Sequence, residues 1–187
     1  MVDITNSIVE HAAELFATRR HGKQRRHNKL TIDHVKEVVE NLRQAQVQDV
    51  SVLCVAWLHD AIEDTNTNYD DIYDEFGGVI ANCVASLSKD PRLPSRARTR
   101  AYELQLVNAR WEAKVVKLAD ILANLQTLVN TPNSTQKHQR KAARLRRYAL
   151  SIKDGITVSR VPQLALLQKR LDALLAHQGL EPVPLGA

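Results

Sequence analysis

Thiols, aromatic rings and long apolar runs are all scarce in this chain, and each scarcity excludes something. Two of the 187 residues are cysteine. Cys54 and Cys83 both sit inside apolar helical patterns, so they read as buried thiols of a reduced cytosol. Neither a disulfide framework nor a thiolate zinc site is on offer. No apolar stretch approaches the roughly 20 residues that span a bilayer. Met1-Val2-Asp3-Ile4-Thr5 lacks a basic segment leading into an apolar one, so no signal peptide is indicated. The expectation is a cytoplasmic protein with no membrane attachment. Aromatic residues make up 4%, which leaves few stacking platforms for single-stranded nucleic acid. A Gly-rich phosphate loop of the GxxxxGK[ST] kind is missing too.

Charge is present but unevenly placed. The net charge is +5. Between Arg92 and Arg147 there are thirteen Lys/Arg against three Asp/Glu. Arg19 to Lys29 holds six bases and no acid, whereas Asp60 to Glu75 holds seven acids and no base. An acidic segment is thus flanked by two basic ones. A cation held by the acids, with basic arms around it, suits a small polyanion. Nucleic acid is the competing reading of the basic stretches.

Apolar residues recur at helical spacing almost throughout, with no alternation of the kind strands show and no internal repeat. Helices are expected at about 4–20, 32–46, 49–62, a short one after the Asn68 N-cap that ends at Phe76-Gly77-Gly78, then 79–87, 95–109, 111–129, 137–154 and 160–177. Residues 19–29 and 88–94 read as loops. The fold class is all-α, a single-domain helical bundle, and the length suits one domain.

Two of these helices carry chemistry. The run from Val50 to Ile62 is mostly apolar and ends in His59-Asp60-Ala61-Ile62-Glu63-Asp64-Thr65. As one continuous helix it would stack Glu63 over His59 and Asp64 over Asp60, four residues apart. A lone His-Asp pair is commonly a solvated or capping pair. Four such groups within six residues are harder to dismiss, because clustered buried carboxylates need a compensating cation. In the second helix, Asp120 interrupts an apolar stripe, with Asn124 and Thr127 following on the same face. A mid-helix aspartate has poor propensity, and a buried one needs a partner. His34 lies in the first turn of its helix, where the dipole favours neutral imidazole, the form that ligates metals.

His34, His59, Asp60 and Asp120 together offer two imidazoles and two carboxylates. That mixed set suits a six-coordinate divalent ion such as Mn²⁺, one per chain. Glu63 and Asp64 are then placed to handle the protons of water and leaving group. The reaction class so indicated is metal-assisted phosphoester hydrolysis.

The order H…HD…D resembles the HD phosphohydrolase superfamily. The finer resemblance is to the hydrolase domain of RelA/SpoT proteins. It rests on Arg25-Arg26-His27-Asn28-Lys29-Leu30-Thr31-Ile32-Asp33-His34, on His59 to Thr65, on Phe76-Gly77, and on Lys117-Leu118-Ala119-Asp120 with Asn124 and Thr127. It covers about residues 10–150. The resemblance implies a Mn²⁺-dependent (p)ppGpp hydrolase that releases the 3′-pyrophosphate, standing alone without synthetase or regulatory domains. It implies metal ligation by His34, His59, Asp60 and Asp120, and catalysis by Glu63 and Asp64. Substrate contacts would come from Arg25, Arg26, Asn124, Thr127 and Tyr148. Several positions depart from the family pattern: His27-Asn28 replaces Ser-Gly, Leu30-Thr31 replaces Pro-Tyr, Ile121 and Gln126 replace arginines. These lie on the base-recognition side, so (p)ppApp stands beside (p)ppGpp as substrate. Another HD nucleotide phosphatase, for example one removing the 2′-phosphate of NADPH, and a non-catalytic alarmone-binding module are the other readings. On this view residues 1–187 form one HD hydrolase domain: a core at about 10–150, a C-terminal helix at about 160–177 and a frayed tail at 180–187. Its partner would be a small nucleotide alarmone, not nucleic acid or membrane, and a homo-oligomer is compatible.

Overall fold

A computed structural model describes residues 4–26, 29–131 and 136–186. Nine helices form among them: α1 (Ile4–His21), α2 (Thr31–Gln44), α3 (Val50–Leu58), α4 (Ala61–Asp64), α5 (Tyr69–Leu87), α6 (Ser95–Asn108), α7 (Trp111–Val129), α8 (Gln136–Ile152) and α9 (Leu164–His177). The basic stretch after α1 closes into a two-residue antiparallel ladder, β1 (Arg25–Arg26) with β2 (Lys29–Leu30). The protein is otherwise all-helical, as the periodicity predicts. His27, Asn28 and residues 132–135 lie outside the described residues, and so does the side chain of Arg26.

Two helices make the centre. Every residue of α3 from Val52 to Leu58 is buried, as expected of a helix that is apolar all round. In α7 every residue from Glu112 to Leu125 is buried. The two touch each other; α1, α2 and α5 pack on α3, and α2, α5, α8 and α9 pack on α7. The residues singled out from sequence therefore cluster around two deeply buried helices in contact.

Local chemistry explains the boundaries. The Asp49 carboxylate accepts from the Val52 amide and caps α3. Asn68 and Asp71 form a reciprocal capping box at the start of α5. The break expected at Phe76-Gly77-Gly78 is present as a kink: Gly77 has φ 81° and ψ 168°, and two helical segments join there within α5. That backbone conformation has a positive φ, which favours glycine.

Two expectations need correction. The helix predicted over 49–62 is not continuous. It stops at Leu58, and His59 and Asp60 form a turn before the single-turn α4. Asp60 has ψ −1°, so the ladder of i to i+4 bonds is interrupted there. The stacking of Glu63 on His59 deduced from an unbroken helix does not apply, whereas Asp60 and Asp64 remain one turn apart, the Asp64 amide donating to the Asp60 carbonyl at 2.9 Å. The tail is not frayed either. Val183 is fully buried. Gln168 on α9 donates to the Val183 carbonyl and accepts from the Leu185 amide, and Arg146 on α8 donates to the Glu181 carbonyl. At Gly186 an added Cβ would lie 2.7 Å from the Ile156 carbonyl oxygen. A polar clamp and one apolar anchor thus fix a segment whose Pro-rich sequence reads as loose.

Candidate active site

The break after α3 is what turns His59 inward. Its Nδ1 lies 2.7 Å from the Ala56 carbonyl oxygen. A carbonyl only accepts, so Nδ1 carries the proton and Nε2 is left with its lone pair. Nε2 is buried and has no hydrogen-bond partner. A buried imidazole lone pair left unmatched costs free energy unless a ligand meets it. Asp60 Oδ1 stands 3.4 Å from that nitrogen.

His34 and Asp120 complete the cluster from α2 and α7. Ligand atoms of His34, His59 and Asp120 all lie within 4.8 Å of one another. His34 Nε2 is 3.0 Å from Asp120 Oδ1. Asn124, one turn on, donates to the same oxygen at 2.6 Å. Lys117, one turn back, donates to Oδ2 at 2.7 Å. Burial alone would push the Asp120 carboxyl up. The Lys117 ammonium, and then His34, override it and hold the group well below the usual carboxylate range. Lys117 is itself buried; its charge survives because Asp120 lies opposite. Oxygen and nitrogen donors around one lone pair, with no thiolate, fit a hard or borderline divalent cation.

A cavity of about 250 Å³ opens over this cluster. His59, Asp60, Glu63, Asp64, Asp120 and Asn124 line it, and so do the cationic Lys89, Arg98, Lys141 and Arg144 together with Tyr148. Most of the residues singled out from sequence are therefore gathered in one place. Tyr148 is 3% exposed and meets Tyr102 edge-on, ring centroids 5.1 Å apart. Arg25 lies in β1 on the exposed hairpin, and Thr127 lines a separate groove between α2 and α7 with Asp33, Lys36 and Glu37. Thr127 is two turns, about 10 Å, along the helix from Asp120, and its hydroxyl donates to the Ala123 carbonyl.

Sequence reasoning missed Lys117, Lys89 and Tyr102. Lys117 had a legible signal: a lysine inside an apolar helix, three residues before a buried aspartate, is that aspartate's natural counterion. Lys89 and Tyr102 had none, because only the packing of α5 and α6 brings them to the site.

Comparison with known proteins decides the family. A model described as HD domain matches residues 10–157. The chain belongs to the HD domain family. Among its relatives is the human guanosine-3′,5′-bis(diphosphate) 3′-pyrophosphohydrolase MESH1, 34% identical over 129 residues, covering 66% of this chain and 72% of that one. The Xenopus tropicalis protein of the same name is 29% identical over 169 residues, 88% of this chain and 92% of the relative. A solved structure of a metazoan SpoT ortholog, described as hydrolysing ppGpp with a role in starvation responses, superposes with a TM-score of 0.79. It is 28% identical and covers 92% of this chain and 96% of its own. This HD-domain chain thus shares both fold and most of its length with those proteins. No helix among the described residues is long and apolar enough to cross a membrane.

Proposed function

We propose that this HD-domain protein is a hydrolase that removes the 3′-pyrophosphate of nucleotide alarmones, ppGpp or ppApp and their 5′-triphosphate forms, and works with Mn²⁺. One observation carries the reading. A buried His59 Nε2 that makes no hydrogen bond meets His34 and Asp120 beside a cavity that Glu63, Asp64 and several cationic side chains line. His34, His59, Asp60 and Asp120 would hold the ion, which when bound supplies Lewis-acid polarisation of a phosphoryl oxygen and of water.

The chain's own groups do the rest. Arg98, Lys141 and Arg144 attract the polyphosphate and offset its charge. Glu63 and Asp64 divide the proton work. One takes a proton from water as its oxygen bonds to the phosphorus attached to O3′. The other gives a proton to O3′ as the P–O3′ bond breaks. Lys117 keeps Asp120 ionised throughout, and Asn124 keeps it turned toward the cluster. At about 250 Å³ the cavity is smaller than the roughly 300–1,000 Å³ of common small-molecule pockets. It would take the phosphate end, and the nucleoside would run along α7 toward the groove beside Thr127 and the hairpin carrying Arg25 and Arg26.

The test is product identity. Mn²⁺-loaded protein is incubated with ppGpp, ppApp and NADPH in ¹⁸O-water. The expected products are pyrophosphate carrying the label and the unlabelled nucleoside 5′-diphosphate, formed in one step. Stepwise orthophosphate, label in the nucleoside, or turnover of NADPH alone would overturn the assignment.

A further inference from the structure

Of the two carboxylates proposed to move protons, Glu63 is held by residues no motif contains. Glu63 belongs to α4, four residues long and detached from α3 by the turn at His59-Asp60. So short a helix cannot fix a side chain by its own hydrogen bonds. Both Glu63 oxygens instead meet one ammonium group: Lys89 Nζ lies 3.0 Å from Oε1 and 3.2 Å from Oε2.

Lys89 is itself well founded. It follows the C-terminus of α5, where helix carbonyls ordinarily lack partners. Here α6 supplies them. The Tyr102 hydroxyl donates to the Leu87 carbonyl at 2.9 Å. The Gln105 amide reaches the carbonyls of Ala85, Ser86 and Ser88 at 3.1, 2.8 and 2.9 Å. Ser88 Oγ donates back to Val84. The Lys89 ammonium then rests 4.6 Å from the centroid of the same Tyr102 ring, within cation–π range. A pinned helix end and an aromatic face thus aim one lysine at one carboxylate.

We propose that Lys89 is a positioning residue that acts through Glu63: it holds the carboxylate against the cavity wall in the orientation its proton transfer needs. This rests on the reading given under Proposed function. Misplacing a reacting group by an ångström costs turnover and not affinity. A phosphate ligand, by contrast, would show in KM.

The experiment is a double-mutant cycle on the Mn²⁺-loaded full chain, with whichever alarmone the wild type converts to pyrophosphate. Lys89→Met should lower kcat by about 10- to 100-fold with KM within about twofold, and Lys89→Arg should regain most of that loss. The pair is partly exposed, so the melting temperature should stay within a few degrees. In the Glu63→Gln background, Lys89→Met should cost nothing more. Equal losses in both backgrounds, a raised KM at constant kcat, or wild-type turnover in Lys89→Met would each overturn the proposal. If the wild type releases no pyrophosphate at all, the underlying reading falls first and this proposal with it.

Discussion

Two lysine–carboxylate pairs flank the ring of Tyr102. Lys117 and Asp120 lie three residues apart on a 19-residue central helix, 2.7 Å between charged atoms, with side chains 9% and 8% exposed. Lys89 and Glu63 come from a loop and a single-turn helix, at 3.0 Å, each 28% exposed. Both ammonium groups approach the Tyr102 ring, at 5.1 and 4.6 Å from its centroid. The first pair is a fixed charge sealed away from water, suited to a group that must keep one protonation state. The second is a partly exposed part of the cavity lining, with Glu63 on a short element, suited to a group that must exchange a proton.

Breaking the deep pair should have the larger effect. Asp120→Ala leaves the Lys117 charge buried without its carboxylate, and Lys117→Met strips the counterion from Asp120. Each should cost about 3–5 kcal/mol in urea unfolding, the scale for removing one partner of a buried pair. Asp120→Ala should also lower metal content by elemental analysis and abolish turnover. Glu63→Gln and Asp64→Asn should do the reverse: stability within about 1 kcal/mol, metal retained, kcat down by roughly 10²–10⁴. Equal destabilisation at both pairs would erase the distinction between them.

The deep pair was also the more legible one. Asp120 announced itself as a charge in an apolar helix, and its helix boundaries follow from apolar spacing alone. His34, His59 and Asp60 could be grouped because residue chemistry, not geometry, selects metal ligands. The shallow pair could not be read. Its geometry depends on a helix break at His59-Asp60, and no glycine or proline marks that break. It depends equally on Tyr102 and Gln105 reaching across from another helix, and tertiary contacts of that kind leave no local pattern. Val183 escaped notice for the same reason: one apolar residue between two prolines looks exposed until α8 and α9 are in place.

The helices that lead to His59 and to Lys89 each carry a buried thiol, and alkaline pH probes them. Cys54 lies on α3, which leads to His59, and burial, followed by Glu10 and Asp49, pushes its thiol up to about 12. Cys83 lies on α5, which leads to Lys89, and burial, followed by Glu112, pushes it up to about 11. Both folded values exceed the unfolded value of about 9. Between the two, the unfolded chain loses a proton that the folded chain keeps, so stability falls as pH rises. The contribution is intact below pH 9 and is lost progressively from there toward 11–12. From pH 8 to 10 the loss should be on the order of 1 kcal/mol per thiol, read from urea midpoints. Cys54→Ala and Cys83→Ala should each flatten that slope. An unchanged slope in either variant would mean that its helix is not packed as tightly as the structure has it.

The smallest effect should come from the far end of the Asp120 helix, at Thr127. Its hydroxyl donates to the Ala123 carbonyl, a group already served by the helix, so Thr127→Ala should cost no more than about 0.5 kcal/mol of stability. The hydroxyl oxygen keeps acceptor capacity toward the α2–α7 groove. One neutral hydrogen bond to the nucleoside is worth about 0.5–1.5 kcal/mol, so KM should rise about two- to tenfold while kcat holds. Asn124→Ala should behave differently, since Asn124 donates at 2.6 Å to the carboxylate of the cluster itself; there kcat should fall. Steady-state kinetics on the two variants separate the nucleoside end from the reacting end along a single helix. If Thr127→Ala lowers kcat as Asn124→Ala does, the reacting phosphate extends two turns further than the cavity does. If Thr127→Ala changes neither parameter, the nucleoside lies elsewhere than beside α7.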